Sequence, residues 1–539
     1  MTVPVIDLFA GPGGLGEGFS RAKPFDFEIA VSIEKDGMAF ETLQLRAAHR
    51  HLARTGKASR HTWSTWDRIV EHEPWNIVFE KLESSDDPLI AAACAAARKE
   101  AWNLELGPDT RSRVSEGIRE RLKPYMQGSK LPDNSVLIGG PPCQAYSVVG
   151  RSRNRGKVGY TAEQDHRHFL YLEYLQVINE FRPAVFIMEN VKGILTSRVD
   201  DGQIFHRIMK DLQRPDLACG TGKRLEYVLV ALPLGSTGPS LPEPSDFIVK
   251  AETYGVPQAR HRVIICGVRR DVYDAAGQVD KLRHKAGPKV RDIIGDLPRL
   301  RPDLSYRGKG KTWIQSLDLD IMDRAIRELR ADGRRNSIKV SDTMERLRTR
   351  LKKRMDLGTS GADRLRLPSD PQPKKLLSWY RDRSSSLLAN HASRSHMPSD
   401  LVRYLFVSVY GQKVGESPRL THFPLSLLPE HKNVVATKVS EAIFKDRFRV
   451  QLGSRCSMTI TSHIGKDGHA FIHYDPAQCR SLTVREAARL QTFPDTYVFL
   501  GARTSQYTQV GNAVPPHLAR QIAMIVGKVL AKAGLTGAG

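Results

Sequence analysis

The sequence predicts an α/β fold built on an open, mostly parallel sheet, and three observations lead there. Short, continuous apolar runs recur along the first 270 residues, as in "PAVFIMENV" (183–191) and "RHRVIICGVRR" (260–270). Such runs are typical of strands covered on both faces. Helical stretches separate them, which is the alternation of an α/β sheet. The first run passes straight into glycine, in "PVIDLFAGPGGLGEGF" (4–19), and reads as strand, turn and helix start.

In chain order, "FEIAVSIEKD" (27–36) is the second strand and ends in acidic Glu34. Residues from about 44 to 130 carry a helical pattern, with Asp87 placed to cap a helix and Pro88 at its first position. That stretch reads as a helical insertion without chemistry. "SVLIGGPPC" (135–143), "PAVFIMENV", "EYVLVALPL" (226–234) and "RHRVIICGVRR" complete the strands. In open α/β sheets, ligands gather beyond the carboxyl ends of the strands. The glycine turn, the "PPCQ" loop (141–144) and Glu189-Asn190 each fall at such an end. One rim therefore holds three polar features.

The texture changes over 271–479. The span 281–400 carries 29 Lys and Arg against 15 Asp and Glu, so it supplies +14 of the chain's +23. A basic helical run such as "MERLRTRLKKRMD" (344–356) is ordinarily a solvated face. The concentration of charge, with Trp313, Trp379, Tyr380 and Tyr404 interspersed, favours a DNA-binding surface. Further on, "ITSHIGKDGHAFIHY" (460–474) reads as a hairpin turning at Asp467-Gly468.

No apolar run nears membrane-spanning length, and the N-terminus lacks a basic region before its apolar part, so neither anchor nor export signal is expected. The six cysteines lie far apart with no C-x-x-C, which fits a reducing cytoplasm and supports neither zinc nor a disulfide framework. His391, His396 and His431 lack the tight spacing of metal ligands, so no metal is expected.

At the rim, "GPGGLG" (11–16) matches G-x-G-x-x-G, and Glu34, about 20 residues on, suits a ribose hydroxyl. A dinucleotide or S-adenosylmethionine would fit equally, which leaves a dehydrogenase open. Cys143 follows Pro141 and Pro142, which remove backbone donors and stiffen the approach to the thiol. A sulfur aimed in this way suits a nucleophile better than core packing. Glu189 ends an apolar strand; it is either a capping or ion-paired carboxylate, or a desolvated acid of raised pKa that offers a proton to a ring nitrogen. In "PQARHRVIICG" (257–267), Arg260 and Arg262 share a face at period two. They are either an exposed strand edge, or a guanidinium for an exocyclic oxygen beside a neighbour that holds the site together.

Together these residues resemble the DNA (cytosine-5) methyltransferases of bacterial restriction-modification or defence systems. "DLFAGPGG" (7–14), "PPCQAYS" (141–147) and "ENV" (189–191) are similar to that family's first motif, nucleophile loop and glutamate motif. "QARHR" (258–262), "RSLTVREAARLQTFPD" (480–495) and "QVGNAVPP" (509–516) are similar to its eighth, ninth and tenth motifs, in the family's order.

The resemblance implies a Rossmann-like methyltransferase sheet with one antiparallel strand, plus a smaller, mixed target-recognition domain. It implies a catalytic domain at 1–270, target recognition and DNA binding at 271–479, and motifs at 480–539 that return to the first domain and bring the chain ends close. The implied reaction is methyl transfer from S-adenosylmethionine to C5 of a cytosine flipped out of duplex DNA. Cys143 would add to C6, Glu189 would engage N3 and Arg262 would bind O2, with Arg260, Gln144 and Asn190 completing the catalytic set. Asp7, Phe9, Ala10, Gly11, Gly13, Gly14, Leu15, Glu34, Pro142, Asn512 and Val514 would hold the cofactor. The loop 144–166 would close over the base. A cytoplasmic, nucleoid-associated monomer that protects host DNA beside a cognate restriction or defence system follows by analogy. The alternatives are an RNA (tRNA) cytosine-5 methyltransferase and a catalytically decayed DNA-binding protein. The family's third motif, whose aspartate holds the adenine amine, finds no match within 44–130.

Overall fold

The computed structural model describes residues 1–142, 170–196, 198–199, 202–222, 224–236, 242–305, 313–353, 361–367, 377–381, 385–429 and 447–536. The chain divides into two compact units, 1–286 with 513–539, and 287–512.

In the first unit, β1 (Val3–Leu8), α1 (Gly14–Ser20) and β2 (Phe27–Glu34) follow the expected order. Helices α2 (Gly37–Arg54), α3 (Arg60–His72), α4 (Val78–Glu83) and α5 (Pro88–Glu100) come next. The Asp87 carboxylate caps α5 by accepting from the Leu89 amide, as its place before Pro88 predicts. The region is not a purely helical insertion, however. Helix α5 runs directly into β3 (Ala101–Asn103), which pairs in parallel with β2.

The unit continues through α6 (Arg111–Leu122), β4 (Val136–Gly139), α7 (Leu170–Phe181), β5 (Val185–Val191) and α8 (Ile204–Gln213). It is completed by β6 (Tyr227–Ala231), β7 (Ile248–Lys250), β8 (His261–Arg269), α9 (Arg270–Ala276) and the C-terminal helix Pro516–Lys532.

The sheet order is β3-β2-β1-β4-β5-β8-β6, with β7 also on β8. Strands β3 to β5 are parallel, and β8 runs antiparallel to its neighbours. Side chains alternate between two cores. Val136, Ile138, Ile187 and Ile264 pack with α1 and the C-terminal helix, while Leu137, Phe186, Met188 and Val263 pack with α6, α7 and α8. Covering both faces is why these strands are apolar without alternation. The Asn134 amide donates to the carbonyls of Thr2 (3.2 Å) and Leu535 (3.3 Å), so the two ends of the described chain meet.

The second unit contains α10 (Val290–Ile294), α11 (Leu319–Ala331), α12 (Arg335–Lys353), α13 (Pro398–Val414), α14 (Val484–Leu490) and α15 (Arg503–Asn512). Residues 480–512, expected with the first domain, cluster here. Arg480, Arg485 and Arg489 are buried and fully engaged. Arg480 is bidentate on Glu486 and Arg489 on Asp495, and Arg485 donates to the carbonyls of Ala389, Pro494 and Tyr497.

Two expectations fail in this unit. Trp313, Tyr380 and Tyr404 are core side chains, not a stacking surface, and the half-buried Trp379 indole donates to the Thr492 carbonyl. No hairpin forms at Asp467-Gly468. A 3-10 turn at Ser462–Gly465 stands there instead, held by the Arg394 guanidinium on the carbonyls of Ile464 and Gly465. The Asp467 carboxylate also accepts from the His469 amide, a local bond that competes with strand pairing.

His391 lies between Thr483 Oγ1 and the Pro298 carbonyl, and His396 Nε2 accepts from the Ser481 amide; His431 lies outside the described residues. Among the described residues, no helix is long and apolar enough to cross a membrane.

Candidate active site

Strands β1 and β4 are neighbours, yet α1 and α7 cover opposite faces of the sheet. A crevice therefore opens beyond the carboxyl ends of this pair. The glycine turn leaves one strand and the Pro-Pro segment leaves the other.

On the β1 side the backbone is left-handed at Phe9 (φ 55°), Gly11 (φ 57°) and Gly13 (φ 94°). Phe9 carries a side chain in that conformation, at a cost of about 1–3 kcal/mol that is commonest at functional sites. The Ala10 amide donates to the Ile33 carbonyl at 3.0 Å, pinning the turn to β2. Glu34 accepts from the amides of Gly11 (2.7 Å) and Asp36 (2.8 Å), and burial raises its carboxyl above the usual range. Beyond Gly11 the space is open, with nothing within 4 Å of a Cβ built there. Gly14 is the reverse case, since a Cβ would lie 2.3 Å from the Val514 carbonyl oxygen. Leu15 belongs to the core, and Asp7 is fully buried, which pushes its carboxyl well up.

On the β4 side, two predicted residues converge on the backbone leading to Cys143, and a third pairs with one of them. A Cβ on Gly140 would stand 3.2 Å from Glu189 Oε2. Glu189 Oε1 lies 3.0 Å from Arg262 Nε, across the antiparallel pairing of β5 and β8. The buried Asn190 amide donates to the Pro141 carbonyl at 3.1 Å. Arg260 and Arg262 are not an exposed strand edge: Arg260 is 1% exposed and Arg262 mostly buried. Burial, and next the Arg262 charge, holds the Arg260 guanidinium well below its ordinary pKa, with Glu189 acting in the opposite sense.

Cys143, Gln144 and the rest of the 144–166 loop lie outside the described residues, and half-buried Pro142 is the last described residue before them. Asn512 falls in the second unit and Val514 in the first. One feature of the rim is absent from the sequence reading: the end of β3. There the Asn103 amide donates to the carbonyls of Glu34 (2.9 Å) and Lys35 (3.2 Å). Its sequence signal is faint, because the strand has three residues and no glycine or proline separates it from α5.

Residues 117–219 and 244–528 match the C-5 cytosine-specific DNA methylase family. A type II methyltransferase of Bacillus paralicheniformis, M.Bpa9945I, is 32% identical over 536 residues, covering 98% of this chain and 99% of its own. The chain belongs to the C-5 cytosine-specific DNA methylase family. Methylation of DNA at cytosine C5 is its activity.

The DNA (cytosine-5-)-methyltransferase M.ApeKI of Aeropyrum pernix is 25% identical over 510 residues, covering 86% of this methylase and 95% of that protein. The methyltransferase EhMeth of Entamoeba histolytica, a solved structure, superposes with a TM-score of 0.41 at 10% identity over 98% of each chain. Membership of the family sets aside the dehydrogenase reading, and the RNA alternative gains no support from the relatives.

Proposed function

We propose that this methylase acts on a specific sequence in duplex DNA, with Cys143 as nucleophile and S-adenosylmethionine as methyl donor. The observation that carries the reading is the convergence of Glu189 on Gly140 and of Asn190 on Pro141, immediately before Cys143, with Arg262 paired to Glu189 behind them.

Cytosine C5 is a poor nucleophile, so the ring must first be activated. The Cys143 thiolate adds to C6 and the displaced electron pair moves into the ring. Glu189 meets that charge by offering a proton at N3. Arg262 holds the Glu189 carboxyl group in place and, with Nη1 donating to the His261 carbonyl, would present its other donors to O2. Arg260 lies buried beside them, and its carbonyl accepts from the Ala251 amide at the entry to β8. Asn190 fixes the Pro141 carbonyl and with it the start of the nucleophile loop, on which Gln144 follows Cys143. Once C5 carries the methyl group, solvent takes the C5 proton, the C6–sulfur bond breaks, N3 returns its proton to Glu189 and Cys143 leaves as thiolate.

The glycine turn fits S-adenosylmethionine, because open space lies over Gly11 and an acidic acceptor stands beside it for ribose hydroxyls. Phe9, Ala10, Gly11, Gly13 and Glu34 would hold it. Gly14, Leu15 and Val514 back the turn, Asp7 lies beneath it, and Pro142 and Asn512 would complete the set. Bound there, the cofactor supplies an electrophilic methyl group. The end of β3, Asn103 to Glu105, is where its adenine would be met. Relatives named as type II methyltransferases favour a role in protecting host DNA against a cognate restriction enzyme. The protein would do so as a cytoplasmic, nucleoid-associated monomer.

A trapping experiment tests the nucleophile. A 5-fluorocytosine target has no C5 proton to lose after methylation, so a duplex carrying it should form a denaturation-resistant adduct. Peptide mapping should place the link on Cys143, and Cys143→Ala should form none. A link on any other cysteine, or methyl transfer by the alanine variant, would overturn the assignment.

A further inference from the structure

Helix α12 carries a surface that neither the catalytic machinery nor the fold uses. Its inward face, with Val340, Met344 and Leu351, is buried in the core of the second unit. Arg335, Lys339, Arg346 and Arg350 are exposed. At 100° per residue, the spacings of 4, 11 and 15 residues from Arg335 confine all four to an arc of about 60° opposite the buried side. They line one edge of the helix over about 22 Å.

The carboxylates of the helix are directed elsewhere. Asp342 and Glu345 both pair with Arg330 of α11, at 3.4 and 2.6 Å. Asp323 of α11 is taken by Arg348, which lies outside the stripe. Among the described residues, none of the four stripe cations has a carboxylate partner within 4 Å, and of their side chains only Arg346 donates a hydrogen bond, to Thr343 Oγ1. Four like charges on one rigid line repel one another, and no carboxylate among the described residues pairs with them to offset that repulsion. The stripe is therefore free to take a counter-charge from a partner.

We propose that this stripe clamps the phosphate backbone of duplex DNA and holds it without reading its sequence. The proposal rests on the DNA methylase reading and adds a surface to it. A duplex strand repeats a charge every ~3.4 Å along the axis, so cations at steps of about 6, 10.5 and 6 Å find phosphates wherever the helix lies along it. Three of the four are arginines, whose planar guanidinium binds phosphate oxygens in pairs. An anionic lipid surface suits the stripe less well. A membrane-lying helix needs an apolar face free to insert, and here that face is the buried one.

The test uses the full-length chain with Arg335, Lys339, Arg346 and Arg350 all changed to Gln, and a companion in which the three arginines become Lys. Binding to two unrelated duplexes of about 30 base pairs is measured by fluorescence anisotropy between about 50 and 200 mM salt, without cofactor. Each lost phosphate contact lowers the salt slope by ~0.9, or ~3.6 for four, so over that range the parent should lose roughly 150-fold more affinity than the glutamine variant. The loss should be equal on both duplexes, and the lysine companion should keep most of the slope.

An unchanged slope in the glutamine variant overturns the clamp, as does loss confined to one sequence. So does binding of the parent to phosphatidylserine vesicles that the glutamine changes abolish while duplex binding persists. The parent's methyl transfer to duplex DNA is scored in parallel. Its failure would count against the methylase reading, whereas an unchanged slope with methyl transfer intact counts against the clamp alone.

Discussion

Replacing Gly14 by alanine tests whether the cofactor turn is held in place by packing against the returning C-terminal segment. The added Cβ would lie 2.3 Å from the Val514 carbonyl oxygen, 3.2 Å from the Val514 amide nitrogen and 3.3 Å from the Ala513 Cβ. Ordinary contact begins near 3.4 Å, so about 1 Å of movement is required, and the closest atom belongs to backbone. Pro515 and Pro516 stiffen that backbone, which directs the movement into the turn. Overpacking of this kind costs about 1–3 kcal/mol. The better helix propensity of alanine at the first position of α1 returns up to about 1 kcal/mol. A net loss of roughly 1–2 kcal/mol is expected in urea unfolding.

The larger effect should fall on the cofactor. A displacement of about 1 Å in a positioning element costs on the order of 10²-fold, so S-adenosylmethionine affinity measured by calorimetry should drop at least about tenfold. Gly11→Ala is the contrast. Its Cβ meets no protein atom within 4 Å, so its cost to folding is only the left-handed backbone at φ 57°, about 1–2 kcal/mol, and any loss of cofactor affinity comes from the methyl entering the open space itself. A Gly14→Ala protein with parental unfolding midpoint and parental affinity would refute the packing argument.

Two further predictions follow from buried polar groups. Asn190→Ala removes the donor to the Pro141 carbonyl and leaves it unpaired, at about 1–3 kcal/mol; kcat for methyl transfer should fall by about tenfold or more while duplex affinity changes by less than about threefold, and an unchanged kcat would mean the bond does not position the loop. Burial, together with the charges of Lys285, Arg520 and Arg21, holds His517 down to about 4, so between its unfolded value of ~6.5 and 4 the unfolded chain binds a proton that the native one does not. Stability is therefore fully present above ~6.5 and is lost as pH falls towards 4, by up to about 3 kcal/mol; His517→Gln should flatten urea-derived stability over that window, and an unchanged pH dependence would show that His517 carries none of it.

The strands bordering the crevice were legible in the sequence because each is apolar on both faces, and a glycine turn or Pro-Pro step ends the two that matter most. Those features are local, and the backbone rules they follow need no partner. Glu34, Glu189, Asn190 and Arg262 were legible as residues of the rim on the same ground, each standing at the end of a strand or in its first residues. By contrast β3 draws its identity from hydrogen bonds to β2, and three residues carry too little pattern to announce a strand.

Tertiary structure alone decided which polar and aromatic residues are inside. Arg260 could be a strand edge or a buried cation by sequence, and only the packing around β8 made it the second. Tyr404 and Trp313 looked like a binding surface until neighbouring helices covered them, and the turn near Asp467 went to Arg394 instead of to a facing strand. The same holds for charge. Composition placed +14 in 281–400. Which cations face water and which are spent on carboxylates depends on where α11 presents Arg330 to α12. Backbone preference acts over a few residues and is written in the sequence. Burial and ion pairing act between segments far apart in the chain, and become definite only when the chain has brought them together.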